Sequence, residues 1–152
     1  MILLAAMFSC IDPIFSIAAS LSFKDAFYTP IDESEKRKAD LKKQELGKNQ
    51  LSDHLILAEA LFNYERVKST YKFCKEYYLS WNTLNLLSEM KKQFACLLFD
   101  MKFLESPDTK HLASNINSNN RSLIRAILTA GFYPNAAKIM YLFLISKLLF
   151  FS

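Results

Sequence analysis

Apolar residues recur at spacings of three and four along most of the chain, and short polar or proline-bearing breaks cut that pattern into helix-length pieces. Ile14, Ile17, Ala18 and Leu21 form the first stripe, with Asp12 as its capping residue and Pro13 in its first turn. Phe23 to Pro30 then reads as an extended loop whose aromatics pin it to a core. A charged helix is predicted from Asp32 to Leu46, with Glu33 and Glu35 near its start, lysines near its end and Gly47 as its stop. Ser52 or Asp53 caps the next helix, which carries Leu55, Ala58, Leu61, Phe62 and Glu65 towards Lys68. Tyr71 to Leu79 is an aromatic-rich helical segment. Ser80 to Thr83 opens the longest helix, striped by Leu84, Leu87, Met90, Phe94, Leu97, Leu98 and Met101, with Glu89, Lys92, Gln93 and Asp100 opposite. Ser106-Pro107-Asp108 breaks that pattern, Asn115 to Asn120 forms a polar loop, and Arg121 to Ala130 makes a last helix closed by Gly131. The pieces predict an all-α helical bundle in which the stripe of the longest helix is core.

Composition agrees. With 152 residues, 51% of them hydrophobic, the chain is one domain or part of one and can bury a real core. Two glycines and four prolines suit helices joined by short connections. The net charge of +4 permits contact with phosphates without requiring it. Lys36, Arg37, Lys38, Lys42 and Lys43 alternate with Asp40 and Glu45, which reads as a solvated face rather than a phosphate patch. Cys10, Cys74 and Cys96 are odd in number and widely spaced among apolar neighbours, so buried thiols are expected in place of disulfides or a zinc site.

Both ends are unusually apolar. Met1 to Phe8 has the character of a signal core, but no Lys or Arg precedes Lys24 and Asp12-Pro13 interrupts the run. Met140 to Ser152 is nearly uniform in its apolar character, carries one charge and is too short to span a bilayer as a helix.

The chemistry expected of the chain is limited. No Gly-rich phosphate loop and no Asp-Glu-Ala-His box occurs in the sequence, so the chain is not expected to hydrolyse ATP by itself. Ser52-Asp53-His54 lies at a helix start, where capping accounts for it better than a catalytic triad, and His111 sits in a polar loop where solvent exposure is expected. No catalytic, cofactor-binding or metal-binding residue is predicted. What remains is nucleic-acid contact. Ser80, Asn82 and Thr83 stand where a helix begins, so their side chains and free amides suit a phosphate, while Trp81 and Tyr78 can stack on a base or fill the core. Lys91 and Lys92 on the longest helix, and Arg121 and Arg125 on the last, are the other candidates.

The stretch Ser114-Asn115-Ile116-Asn117-Ser118-Asn119-Asn120, followed by Arg125-Ala126-Ile127 and Ala130-Gly131-Phe132-Tyr133-Pro134-Asn135, resembles a junction in the DEAH-box RNA helicases. There the helical ratchet region meets the oligonucleotide-binding fold. Cys10-Ile11-Asp12-Pro13 running on to Ile17-Ala18-Ala19-Ser20-Leu21-Ser22, then Ser52-Asp53-His54-Leu55, then Ser80-Trp81-Asn82-Thr83-Leu84, match the same family in order. Ala26 departs from it, since the family usually has proline there. Lys24-Asp25 and the long Asn-rich loop resemble the branch that includes the G-quadruplex-resolving enzyme.

The resemblance implies a helical ratchet domain over residues 1–130, the entrance to a truncated oligonucleotide-binding fold over 131–139 and a non-family tail over 140–152. That tail is expected to reflect a truncated or mis-spliced gene end, with a real alternative terminus as the other reading. By the same resemblance the chain is an accessory region of an ATP-dependent RNA helicase. It packs on two RecA-like motor domains, follows a winged-helix module absent here, and guides single-stranded RNA or G-quadruplex-containing nucleic acid. ATP and magnesium belong to the parent's motor and no cofactor to this chain. No membrane partner is implied, and the location is cytoplasmic or nuclear. Two other readings stand beside this one: a helical protein-interaction module without nucleic-acid contact, and a secreted or membrane-associated protein.

Overall fold

The computed structural model describes residues 1–48 and 52–135. They form seven α-helices: α1 (Ile2–Met7), α2 (Ile11–Leu21), α3 (Glu33–Leu46), α4 (Asp53–Tyr64), α5 (Thr70–Glu76), α6 (Trp81–Asp100) and α7 (Arg121–Phe132), with a short 3₁₀ turn at Ala113–Asn115. Among the described residues the only β pairing is an isolated antiparallel bridge between Phe27 and Leu79, so the fold is all-α as the periodicity predicts. The entrance to the oligonucleotide-binding fold beyond Asn135, and the Met140 to Ser152 tail, lie outside the described residues.

α4 sits at the centre. Leu55, Ile56, Leu57, Ala58, Ala60 and Leu61 are all buried, so the helix is covered on most sides, chiefly by α2, α3 and α6. One core cluster joins Ile11, Ile14, Phe15 and Ile17 of α2 to Ala95 and Leu98 of α6 and Ile124, Ile127 and Leu128 of α7. A second gathers Leu57 and Leu61 of α4, Phe73 of α5 and Leu84 and Leu87 of α6. Phe94 packs against both clusters and presents its ring edge-on to Phe15, with centroids 6.1 Å apart and planes at 82°.

Several predicted starts hold. The Asp32 carboxylate accepts from the Ser34 and Glu35 amides, Ser80 Oγ accepts from the Thr83 amide, and Asn120 Oδ1 accepts from the Leu123 amide. Asp12 is corrected: Cys10 occupies the N-cap of α2 and Asp12 lies inside the first turn. The α2 stripe is also wider than predicted, since Phe15 and Ser16 are buried, whereas Leu21 is exposed. In α6, Leu97 and Met101 turn out to solvent at 51% and 47%, because the buried face follows Leu84, Leu87, Lys91, Ala95 and Leu98 instead. α4 stops at Tyr64, α5 at Glu76, and α7 runs through Gly131 to Phe132.

The helix stops differ most from expectation. Neither glycine adopts a left-handed backbone. Ser9, Lys48, Tyr78 and Lys102 do, at φ of 50°, 49°, 55° and 63°. Ser9, Tyr78 and Lys102 are each followed by an amide that reaches back to close the helix end: Cys10 to the Ala5 carbonyl at 3.0 Å, Leu79 to Cys74 at 2.8 Å and Phe103 to Leu98 at 2.8 Å. The glycines are needed for space. A Cβ on Gly47 would stand 2.7 Å from Ile56 Cγ1, and one on Gly131 would stand 2.9 Å from Met1 Cβ.

α3 buries only Leu46 and is otherwise held by polar contacts. Tyr78 donates its hydroxyl to Glu35, Lys42 pairs with Glu45 and Glu76, and Lys43 pairs with Asp53. The solvated face predicted for its basic residues is therefore present, with one edge used as a seam.

Candidate nucleic-acid interface

Ser80, Asn82 and Thr83 meet Leu21, Ser22, Phe23, Lys24 and Leu86 around an open groove of about 550 Å³. The loop after α2 is brought there by backbone stitching: the Ser80 amide donates to the Ala26 carbonyl at 2.8 Å and the Tyr28 amide to the Tyr78 carbonyl at 3.0 Å. The left-handed turn at Tyr78 makes that pairing possible, because it sends the chain from α5 back along Phe27 before α6 begins. Phe23, Trp81 and Leu86 remain exposed at this end of the molecule.

Within the groove the three predicted residues differ. Thr83 is 2% exposed, and its hydroxyl donates to Ser80 Oγ at 2.9 Å, so it braces the cap rather than facing a ligand. Asn82 is exposed and free to reach outward. As first-turn positions, Trp81 and Asn82 have amides without an intrahelical acceptor, which gives the groove the partial positive charge of a helix start beside the Lys24 ammonium. Tyr78 is committed elsewhere, with its hydroxyl on Glu35 at 2.6 Å and its ring edge-to-face with Tyr28 at 5.8 Å.

Lys91 is not a surface residue. It is completely buried, with Nζ 2.5 Å from Asp12 Oδ1 and 3.1 Å from Glu65 Oε2. The Asp12 contact lies outside hydrogen-bond alignment and acts as a Coulombic pair. Burial of an ammonium demands such partners, so Lys91 is removed from the candidates for phosphate contact. Lys92 is exposed, paired with Glu89 at 2.7 Å, and lines a different depression with Lys110, Tyr64 and Cys96. Arg121 and Arg125 are exposed on α7, and Arg121 borders a third depression with Lys48 and Glu59. The predicted residues therefore do not converge on one site: Ser80, Asn82 and Thr83 share the groove, and the others stand apart.

Residues 1–57 match the helicase associated domain (HA2), ratchet-like. Over 144 residues, 91% of the chain, the sequence is 44% identical to the ATP-dependent DNA/RNA helicase DHX36 of Homo sapiens, and equally so to that of Bos taurus. Over 141 residues it is 34% identical to the DExH-box ATP-dependent RNA helicase DExH1 of Arabidopsis thaliana. The chain is a helicase-associated region of the DEAH-box helicase family. It spans 14% of the length of each of these relatives.

In this helicase-associated region two groove residues escaped the sequence reading. Phe23 and Lys24 were placed in a loop pinned to the core, yet both line the groove, because the Ala26 to Ser80 stitching turns the start of that loop outward. The Lys24-Asp25 pair was visible in the sequence only as a family signature. His54 stacks on Phe132 at 5.4 Å and so joins the start of α4 to the end of α7. Ser52 does occupy the N-cap there, without a side-chain cap bond, and Asp53 pairs with Lys43. His111 is half-buried rather than solvent-exposed, with Nδ1 enclosed in the loop. Cys10 and Cys74 are buried as expected, whereas Cys96 is exposed. Among the described residues no helix is long and apolar enough to cross a membrane.

Proposed function

We propose that this chain serves as the ratchet of an ATP-dependent RNA helicase, packing on RecA-like motor domains that bind ATP and magnesium, and guiding single-stranded RNA past the start of α6. The observation that supports this most is the groove, where the exposed ring of Phe23 adjoins Lys24 and the open first turn of a long helix that begins with the exposed Trp81. Aromatic faces accept any base and a cation with free amides accepts any phosphate, so the combination suits single strands without sequence preference. The DHX36 relatives are named as DNA/RNA helicases, which supports a nucleic-acid partner; a G-quadruplex-containing partner is proposed on the resemblance of Lys24-Asp25 and the Asn-rich loop to the G-quadruplex-resolving branch. A cytoplasmic or nuclear location follows from that role.

The test is anisotropy of a short fluorescein-labelled oligouridylate with the full chain between about 50 and 200 mM salt, where phosphate neutralisation makes affinity fall linearly on a log scale. Binding with that salt slope, weakened by Lys24→Ala and Asn82→Ala, is the expected result. A folded chain with no salt-dependent binding would favour a helical dock for another protein.

A further inference from the structure

We propose that Lys91 is a positioning residue that pins the register of α6. The leucines and alanine of α6 pack without direction, and a one-turn slide of about 5.4 Å would present a similar apolar face to α2. An ion pair has one place to form. Lys91 meets Asp12 from the first turn of α2 and Glu65 from the C-cap of α4, and Ser88 on the same face of α6 donates to Glu65 at 3.0 Å. Two carboxylates around one buried ammonium leave excess negative charge, and Lys110 supplies the balancing charge from the loop before α7, 3.5 Å from Glu65. α2, α4, α6 and that loop are thus joined at one node, and a slipped α6 would leave its carboxylates unpaired. The best-attested use of a buried polar contact is such selection of register, rather than added stability.

The consequence reaches the groove. Asn82 lies nine residues before Lys91 in α6, about 14 Å along the axis at helical rise, and a one-turn slip would carry it and Trp81 away from Phe23 and Lys24. The effect on RNA rests on the reading given under Proposed function; the effect on helix position does not.

Trp81 is the single tryptophan of the chain and stands at the first position of α6, so it reports the place of that helix end directly. The experiment compares the full native chain with the combined Asp12→Asn, Glu65→Gln, Lys91→Met variant, which removes all three charges at similar volume, and with the single surface variant Lys110→Met. Acrylamide quenching of Trp81, circular dichroism and oligouridylate affinity are read together. The combined variant is expected to keep its helical signal while Trp81 quenching rises and affinity falls by about fivefold or more, the scale of a coupling of roughly 1 kcal/mol. Lys110→Met should shift quenching in the same direction by less. Quenching that rises in a chain that binds no oligouridylate would uphold the pin and remove the RNA reading. Trp81 quenching identical to the native chain in both variants would overturn the pin.

Discussion

Asn115 Oδ1 accepts the backbone amide of Asp12 at 2.9 Å, across 103 residues of sequence. The start of α2 has no side-chain cap of its own, so this loop residue satisfies one of its open amides. The same carboxamide donates to the Thr109 and His111 carbonyls, and Ser118 donates to its oxygen. The polar loop is therefore an ordered bracket on the node that holds Lys91.

Asn115→Ala should lower stability by about 2 kcal/mol, because it uncaps α2 and leaves two half-buried carbonyls without a donor. Urea denaturation followed by circular dichroism measures this. A change of a few tenths would mean that water replaces the bracket freely.

How much of this was legible in the sequence depends on whether the signal was local. The helix starts near Asp32, Ser80 and Arg121 could be read because the residues that cap them, Asp32, Ser80 and Asn120, act on amides two or three residues away. Lys91 could not be, although it falls on the same face as Leu84, Leu87 and Leu98, because its partners Asp12 and Glu65 come from distant segments that periodicity does not couple. Asn115 looked like a loop residue for the same reason. The glycines misled in another way: they read as left-handed stops, whereas here close packing requires them, and Ser9, Lys48, Tyr78 and Lys102 carry the left-handed turns.

Lys102→Gly should therefore stabilise the chain by about 0.5–1 kcal/mol, since a left-handed non-glycine residue costs roughly 1–2 kcal/mol and glycine recovers that less its own entropy. Lys102 is exposed, so no buried contact is lost. The denaturation midpoint should rise; a fall would show that the lysine's position over the Phe99 ring outweighs the strain.

The thiols should react in two classes. Burial pushes Cys10 up to about 11 and raises Cys74 above its ordinary value as well, so both are poor nucleophiles in the folded chain. Cys96 is exposed. A chromogenic disulfide reagent near pH 8 should modify one thiol quickly and the other two at the rate of unfolding. Rapid release of three equivalents would contradict the packing of α2 and α5.

The polar seam of α3 should fail in acid. Lys38, followed by Tyr78, holds Glu35 below the usual carboxylate range, and Lys42 does the same for Glu45. Groups lowered in this way stabilise the fold above the unfolded glutamate value of about 4.3, and that contribution is lost as pH falls through their folded values. Hydrogen exchange should then show α3 amides opening below about pH 4 while those of α4 stay protected. Equal protection of both helices through that range would mean that Leu46 alone anchors α3.

If single-stranded RNA lies against the start of α6, as proposed, emission from Trp81 during an oligouridylate titration reports it most directly. The groove predicts saturable quenching as bases stack on the indole, with an affinity that falls in Lys24→Ala and with added salt. Oligouridylate that binds, by anisotropy, without changing Trp81 emission would contradict the assignment of the groove.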